Sequence, residues 1–195
     1  SAIATLTALG ALAGVRWASQ QDTVFASYAA FVFAIVVWGW QELAFLTGWI
    51  TGPRRHGCDA GCGGLAHFAH AVGAILYHEL AVLGAGMAIA AASLGGVNQT
   101  ATWTFLVLWI MRISAKLNLF LGVRNTGEEL LPERLGYLKC YFSRRPMNLL
   151  FPVSVTAATV AATLIVARAL DPAATPATAA GLMLAAALLA LAIVE

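Results

Sequence analysis

The chain has 195 residues, of which 61% are hydrophobic and 10% charged. An ordinary soluble domain carries about 25% charged residues, so this composition excludes a water-soluble globule and points to one integral membrane domain, residues 1–195, of the all-α class. The net charge of +2 gives no sign of a nucleic-acid partner, and membrane lipids are the expected surroundings.

A helical span needs about 20 apolar residues, and isolated strands would leave backbone groups unpaired in lipid. Six segments qualify, so the expected fold is a polytopic transmembrane helical bundle. The first covers about residues 2–18. It opens without an initiator Met or a cleavable signal sequence, and the natural protein is expected to extend beyond both ends. The second covers about residues 24–51 and carries Glu42 between deep tryptophans, Trp38 and Trp40, and an interfacial one, Trp49. The loop after it holds Arg54, Arg55 and the Gly-rich string His56-Gly57-Cys58-Asp59-Ala60-Gly61-Cys62. A zinc site needs four ligands, and Cys140 would have to come from another loop. Reduced thiols on a flexible loop are expected instead.

The third segment, about residues 65–94, contains His67, His70, His78 and Glu79. At 100° per residue the three histidines fall within about 80° of one another, with Glu79 about 100° away from His78. Such groups cost roughly 2.5–3.5 kcal/mol each in hydrocarbon, so they are kept where they pair, line a wet cavity or bind something. Neutral imidazole is the commonest metal ligand. His78 and Glu79 are therefore candidates for holding a metal, a haem or a chlorin magnesium, while interhelical hydrogen bonding is the alternative, above all for His67 and His70.

The fourth segment, about residues 102–123, places Arg112 and Lys116 on one face, with Ser114 and Asn118 nearby. Like charges at i and i+4 repel and need acids, for which Glu42, Glu79 and Glu195 are available. The resulting group is either a structural ion-pair cluster or a site for a charged or chelating ligand built from His78, Glu79, Glu42, Arg112 and Lys116. A metal set of His78, Glu42, Glu79 and Glu195 has suitable ligand types, but a di-iron bundle site wants Glu-x-x-His pairs, and none occurs. No phosphate loop, nucleophile elbow or Cys-x-x-Cys is present, so no enzyme class is assigned.

The following loop, residues 124–148, is the longest polar stretch. Leu131, Leu135, Leu138 and Phe142 recur behind Pro132, which predicts a short amphipathic helix lying on the membrane surface. Arg144 and Arg145 are placed to hold anionic head groups. The fifth and sixth segments, about residues 149–169 and 178–195, are Ala-rich spans that allow close helix packing. Seven of the eleven Lys and Arg residues fall in the second–third and fourth–fifth loops and two in the opposite loops. The positive-inside rule puts the two Arg-rich loops in the cytoplasm.

Several strings resemble one family: Gln41-Glu42-Leu43-Ala44-Phe45-Leu46-Thr47-Gly48, Gly52-Pro53-Arg54-Arg55, Ile75-Leu76-Tyr77-His78-Glu79-Leu80-Ala81, Asn98-Gln99, Trp103-Thr104-Phe105, Met111-Arg112-Ile113-Ser114-Ala115-Lys116-Leu117-Asn118, Phe120-Leu121-Gly122-Val123-Arg124-Asn125 and Arg144-Arg145-Pro146-Met147-Asn148. Together they resemble the PuhE-type photosynthetic complex assembly proteins of purple phototrophic bacteria, over about residues 38–156. The resemblance implies a bacterial inner (intracytoplasmic) membrane protein. It would support assembly of the reaction centre and light-harvesting complex, or bacteriochlorophyll supply, with reaction-centre or light-harvesting subunits or pigment-biosynthesis enzymes as partners. A bound bacteriochlorophyll or chlorin intermediate is one expectation from the polar cluster. An iron-dependent membrane oxidoreductase acting on a tetrapyrrole or lipid, and a stoichiometric pigment-binding subunit, are the alternatives. The resemblance carries over no catalytic residue.

Overall fold

The computed structural model describes residues 2–194, and Glu195, one member of the expected metal set, lies outside the described residues. Six α-helices are long and apolar enough to cross a membrane. They are α1 (Ala2–Ser19), α2 (Val24–Leu46), α3 (Gly64–Ser93), α4 (Thr100–Leu121), α5 (Leu150–Ala169) and α6 (Pro176–Val194). The expected all-α bundle is therefore what the chain forms. The helices run alternately up and down. At one end Ser19 O accepts the Asn98 N–H and Asp22 accepts the Thr175 hydroxyl. At the other end the α2–α3 and α4–α5 loops meet, as Arg54 Nε donates to Tyr141 Oη at 2.9 Å.

Small residues set the packing. Along α2, Ala26, Ala30 and Ala34 form a buried ridge that continues through Val37 and Gln41 to Ala44 and Phe45. Along α1, Ala8, Ala11, Val15 and Ala18 form its counterpart. Such ridges let backbones approach where lipid supplies no hydrophobic drive. α2 is central, touching α1, α3, α4 and α6, whereas α5 leans chiefly on α6 and buries only Ala158 and Ala169. Thr23 caps α2 by accepting the Ala26 N–H, and Asn148 caps α5 by accepting the N–H groups of Leu150 and Phe151. Each satisfies donors that the first helical turn would otherwise leave unpaired.

The second apolar stretch does not stay helical to residue 51. α2 stops at Leu46, and Gly48 takes a left-handed φ of 70°. The chain then turns back and lays Thr51–Gly52 against the middle of α3. Thr51 O accepts the His78 N–H at 2.8 Å, and the Arg54 N–H reaches Gly73 O. A Cβ on Gly52 would lie 2.1 Å from Gly73 O, so only glycine admits this approach.

α3 has 30 residues and is about 45 Å long, against about 30 Å of hydrocarbon. Phe45, one residue from the end of α2, packs on His78, fourteen residues into α3. The first turns of α3 therefore extend beyond α2. Against them sits the α4–α5 loop, closed by a bridge between Val123 and Arg144. Its short helix is present at the expected place, but it is a 3₁₀ helix, Glu133–Tyr141, and its apolar side faces protein rather than the membrane surface. Leu135, Leu138 and Tyr141 are buried with Phe45 and Ala74. The spacing explains this: apolar residues exactly three apart line up on one side at three residues per turn. Arg134 closes the joint by donating to Thr47 O at the end of α2. Arg144 is paired with Glu128.

Candidate functional site

The four intramembrane charges form two separate pairs. Arg112 Nη2 donates to Glu42 Oε2 at 2.9 Å, tying α4 to α2. Lys116 Nζ donates to Glu79 Oε1 at 2.5 Å, tying α4 to α3. The cations share a face of α4, as their spacing requires, and each has its own acid, so their mutual repulsion is offset pairwise and the cluster is neutral. Lys116 also lies 5.8 Å from the Phe45 ring centroid. Depth follows from the sequence. Glu42 lies four residues before the end of α2 and Lys116 five before the end of α4, about 6 and 7.5 Å along the axes. The cluster thus sits near the loop end of the bundle rather than at its centre.

His78 is 1% exposed. Its ring lies 4.5 Å from the Phe45 ring, centroid to centroid, and neither ring nitrogen has a hydrogen-bond partner. Thr51 Oγ1, Gln41 Oε1 and Glu42 Oε1 are also buried without a protein partner. A buried polar atom left unpaired costs roughly 1–3 kcal/mol, and native interiors hold few of them.

The three histidines of α3 do not converge on one point. His67 stacks on Phe120 and lies against Tyr141, His70 Nδ1 meets Cys62 Sγ at 3.1 Å, and His78 faces Phe45. The histidine stripe is thus shared among three neighbours. Among the described residues no group of three or more His, Cys, Asp or Glu side chains is placed to hold a metal ion. Of the proposed metal set, Glu42 and Glu79 are turned to Arg112 and Lys116, and Glu195 lies outside the described residues. The residues present also do not fit an axial ligand to a chlorin, because the enclosed His78 ring offers no open face to a macrocycle.

The thiol expectation is corrected. Cys58 and Cys140, 82 residues apart, form a disulfide with Cα atoms 5.9 Å apart, and Cys62 is free. The sequence could not show this pairing, because it depends on the 3₁₀ helix carrying Cys140 to the α2–α3 loop. In that loop Arg54 bonds Asp59 at 2.9 Å and holds its carboxyl below the usual carboxylate range. The Arg54 guanidinium is in turn raised by Tyr141 and Asp59. At the other end of the bundle, Asn98, Thr100, Trp103, Thr178 and Gly181 help line a cavity of about 270 Å³, which no member of the charged cluster reaches.

A six-helix bundle with a neutral charge cluster near one end defines a polytopic membrane protein. The chain belongs to the family described as protein of unknown function DUF3623, which matches residues 1–195. It is 38% identical over 163 residues to an uncharacterized 30.4 kDa protein in the puhA 5′ region of Rhodobacter capsulatus. That match covers 84% of this chain and 60% of the relative, so the chain spans about three fifths of the relative's length. No solved structure matches.

Proposed function

We propose that this chain is part of an inner-membrane protein that supports assembly of the bacterial photosynthetic apparatus, acting on reaction-centre or light-harvesting subunits or on their pigment supply. The observation that carries this reading is the 38% identity to a protein of the puhA 5′ region, in line with the motif resemblance over residues 38–156. The fold is suited to such a role. Three helices are joined by ion pairs at the end where the Arg-rich loops form one lobe, a surface on which subunits or pigment enzymes can be positioned. The excess of Lys and Arg in those loops argues that this end faces the cytoplasm.

The test is a chromosomal deletion in a purple phototroph carrying the full-length gene, followed by near-infrared absorption of isolated membranes. The expected result is a reduced reaction-centre or light-harvesting band that the wild-type gene restores. An unchanged spectrum in the deletion strain overturns the proposal.

A further inference from the structure

The lobe that joins the two Arg-rich loops brings together three cysteines and a histidine. Cys58 and Cys140 form the disulfide, and Cys140 is exposed. Cys62 lies across a turn from Cys58, closed by the Cys62 N–H donating to Asp59 O at 3.1 Å. Its sulfur lies 3.1 Å from His70 Nδ1, a base within reach of the thiol proton. The Cys58 N–H points at Cys140 Sγ at 2.9 Å, a donor aimed at the sulfur that would carry charge if the bond opened. A purely structural disulfide needs neither a neighbouring free thiol with a base nor a donor aimed at one sulfur. The basic character of this end adds to the case: on a reducing side of the membrane, disulfides are typically transient and catalytic or redox-sensing.

We propose that Cys58, Cys62, Cys140 and His70 form a thiol–disulfide exchange site whose external partner is a dithiol reductant. The Cys62 proton passes to His70 Nδ1, and the thiolate attacks Cys58 Sγ. The Cys58–Cys62 bond forms as the Cys58–Cys140 bond breaks. The electron pair leaves on Cys140 Sγ, which the Cys58 N–H stabilises until it is protonated. This step is an isomerisation without net oxidation. Reduction of either disulfide consumes two electrons and two protons from the dithiol, which becomes a disulfide. The rate of exchange follows the thiolate fraction of the attacking thiol and the stability of the leaving one. Opening the Cys58–Cys140 bond removes the covalent tie between the α2–α3 loop and the 3₁₀ helix and leaves the Arg54–Tyr141 hydrogen bond to join them, so the redox state sets how firmly the lobe is held together. This inference does not depend on the assembly role.

The test uses the full chain in native membranes, with dithiothreitol as the reductant, acid quenching and mass-tag alkylation of free thiols. In the wild type, partial reduction should yield a species with Cys140 tagged and Cys58 joined to Cys62. In Cys140→Ser, mild oxidation with diamide should join Cys58 to Cys62. In Cys62→Ser and His70→Asn, release of the Cys140 thiol should slow with the amount of folded protein unchanged, because the internal thiolate is lost or less populated. Wild-type reduction rates in Cys62→Ser, or no Cys58–Cys62 bond in either the wild type or Cys140→Ser, would overturn the proposal. The wild-type measurement decides the matter even if a variant fails to fold.

Discussion

At the residue scale, the two ion pairs carry the sharpest expectations. Glu42→Ala leaves Arg112 without its acid, at a cost below the roughly 2.5–3.5 kcal/mol that insertion scales give at the helix centre, and should lower the folded amount in membranes. The double variant Glu42→Ala with Arg112→Ala should recover part of that loss, because residues in contact are coupled. Immunoblots and thermal stability by size exclusion would show it, and a double variant as poor as the sum of the singles would refute the pairing. His78 calls for a different substitution. His78→Leu keeps about the same volume and removes two unpaired nitrogens, so folding should hold or improve by about 1 kcal/mol. If the imidazole serves function, the near-infrared band of the same cells falls while the protein stays abundant. If both signals are unchanged, the residue only packs. Asp59 supplies the pH expectation. Its carboxyl is held down by Arg54, so the bond is complete above the ordinary value of 3.8 and is lost as pH falls through the depressed one. Hydrogen-exchange protection factors across residues 54–62 should stay level from neutral pH to that point and drop below it.

At the element scale, the segment after α2 is what binds the loops to the bundle. Gly52→Ala should be severely destabilising, since its Cβ would collide with the carbonyls of Gly73 and Ala74. Gly57→Ala, with open space around it, should leave thermal stability unchanged, and equal stability of the two variants would refute the close approach. Leu135→Ala should cost about 2–5 kcal/mol, as for other fully buried leucines, and should open residues 124–145 to limited proteolysis. The spans themselves were legible in the sequence because apolar length alone defines them. The 24–51 run misled because Trp49, Ile50 and Thr51 are apolar enough to continue a helix, although Gly48 and Gly52-Pro53 carried the turn signal. The lobe helix was readable as apolar spacing but not as 3₁₀, and what it covers depends on contacts distant in sequence.

At the scale of the whole molecule, charge balance predicted that Arg112 and Lys116 would find acids, and both acids are where that balance asks for them. The ligand sets were less readable. A stripe of histidines on one helix says which side they share, not which neighbour each meets, and α3 meets α2, α4 and the lobe at different heights. Orientation has its own test. In intact cells a membrane-impermeant thiol reagent should reach Asn98→Cys, in a Cys58→Ser, Cys62→Ser, Cys140→Ser background, from the periplasm. It should not reach a lone Cys62 retained in an otherwise cysteine-free chain. Labelling of Cys62 from outside would invert the topology and place the disulfide in an oxidising compartment.

The docking of Thr51 and Gly52 onto α3 also orders the making of the protein. Its partners, Gly73 and His78, follow within 30 residues, so the α2–α3 hairpin can close while the ribosome is still synthesising α4. The lobe cannot. It needs the end of α4 and then the chain through Cys140, whose partner emerged 82 residues earlier. Nascent chains arrested before residue 140 should therefore hold a formed hairpin with Cys58 still open to alkylation, and the basic end of the bundle takes shape only after that hairpin.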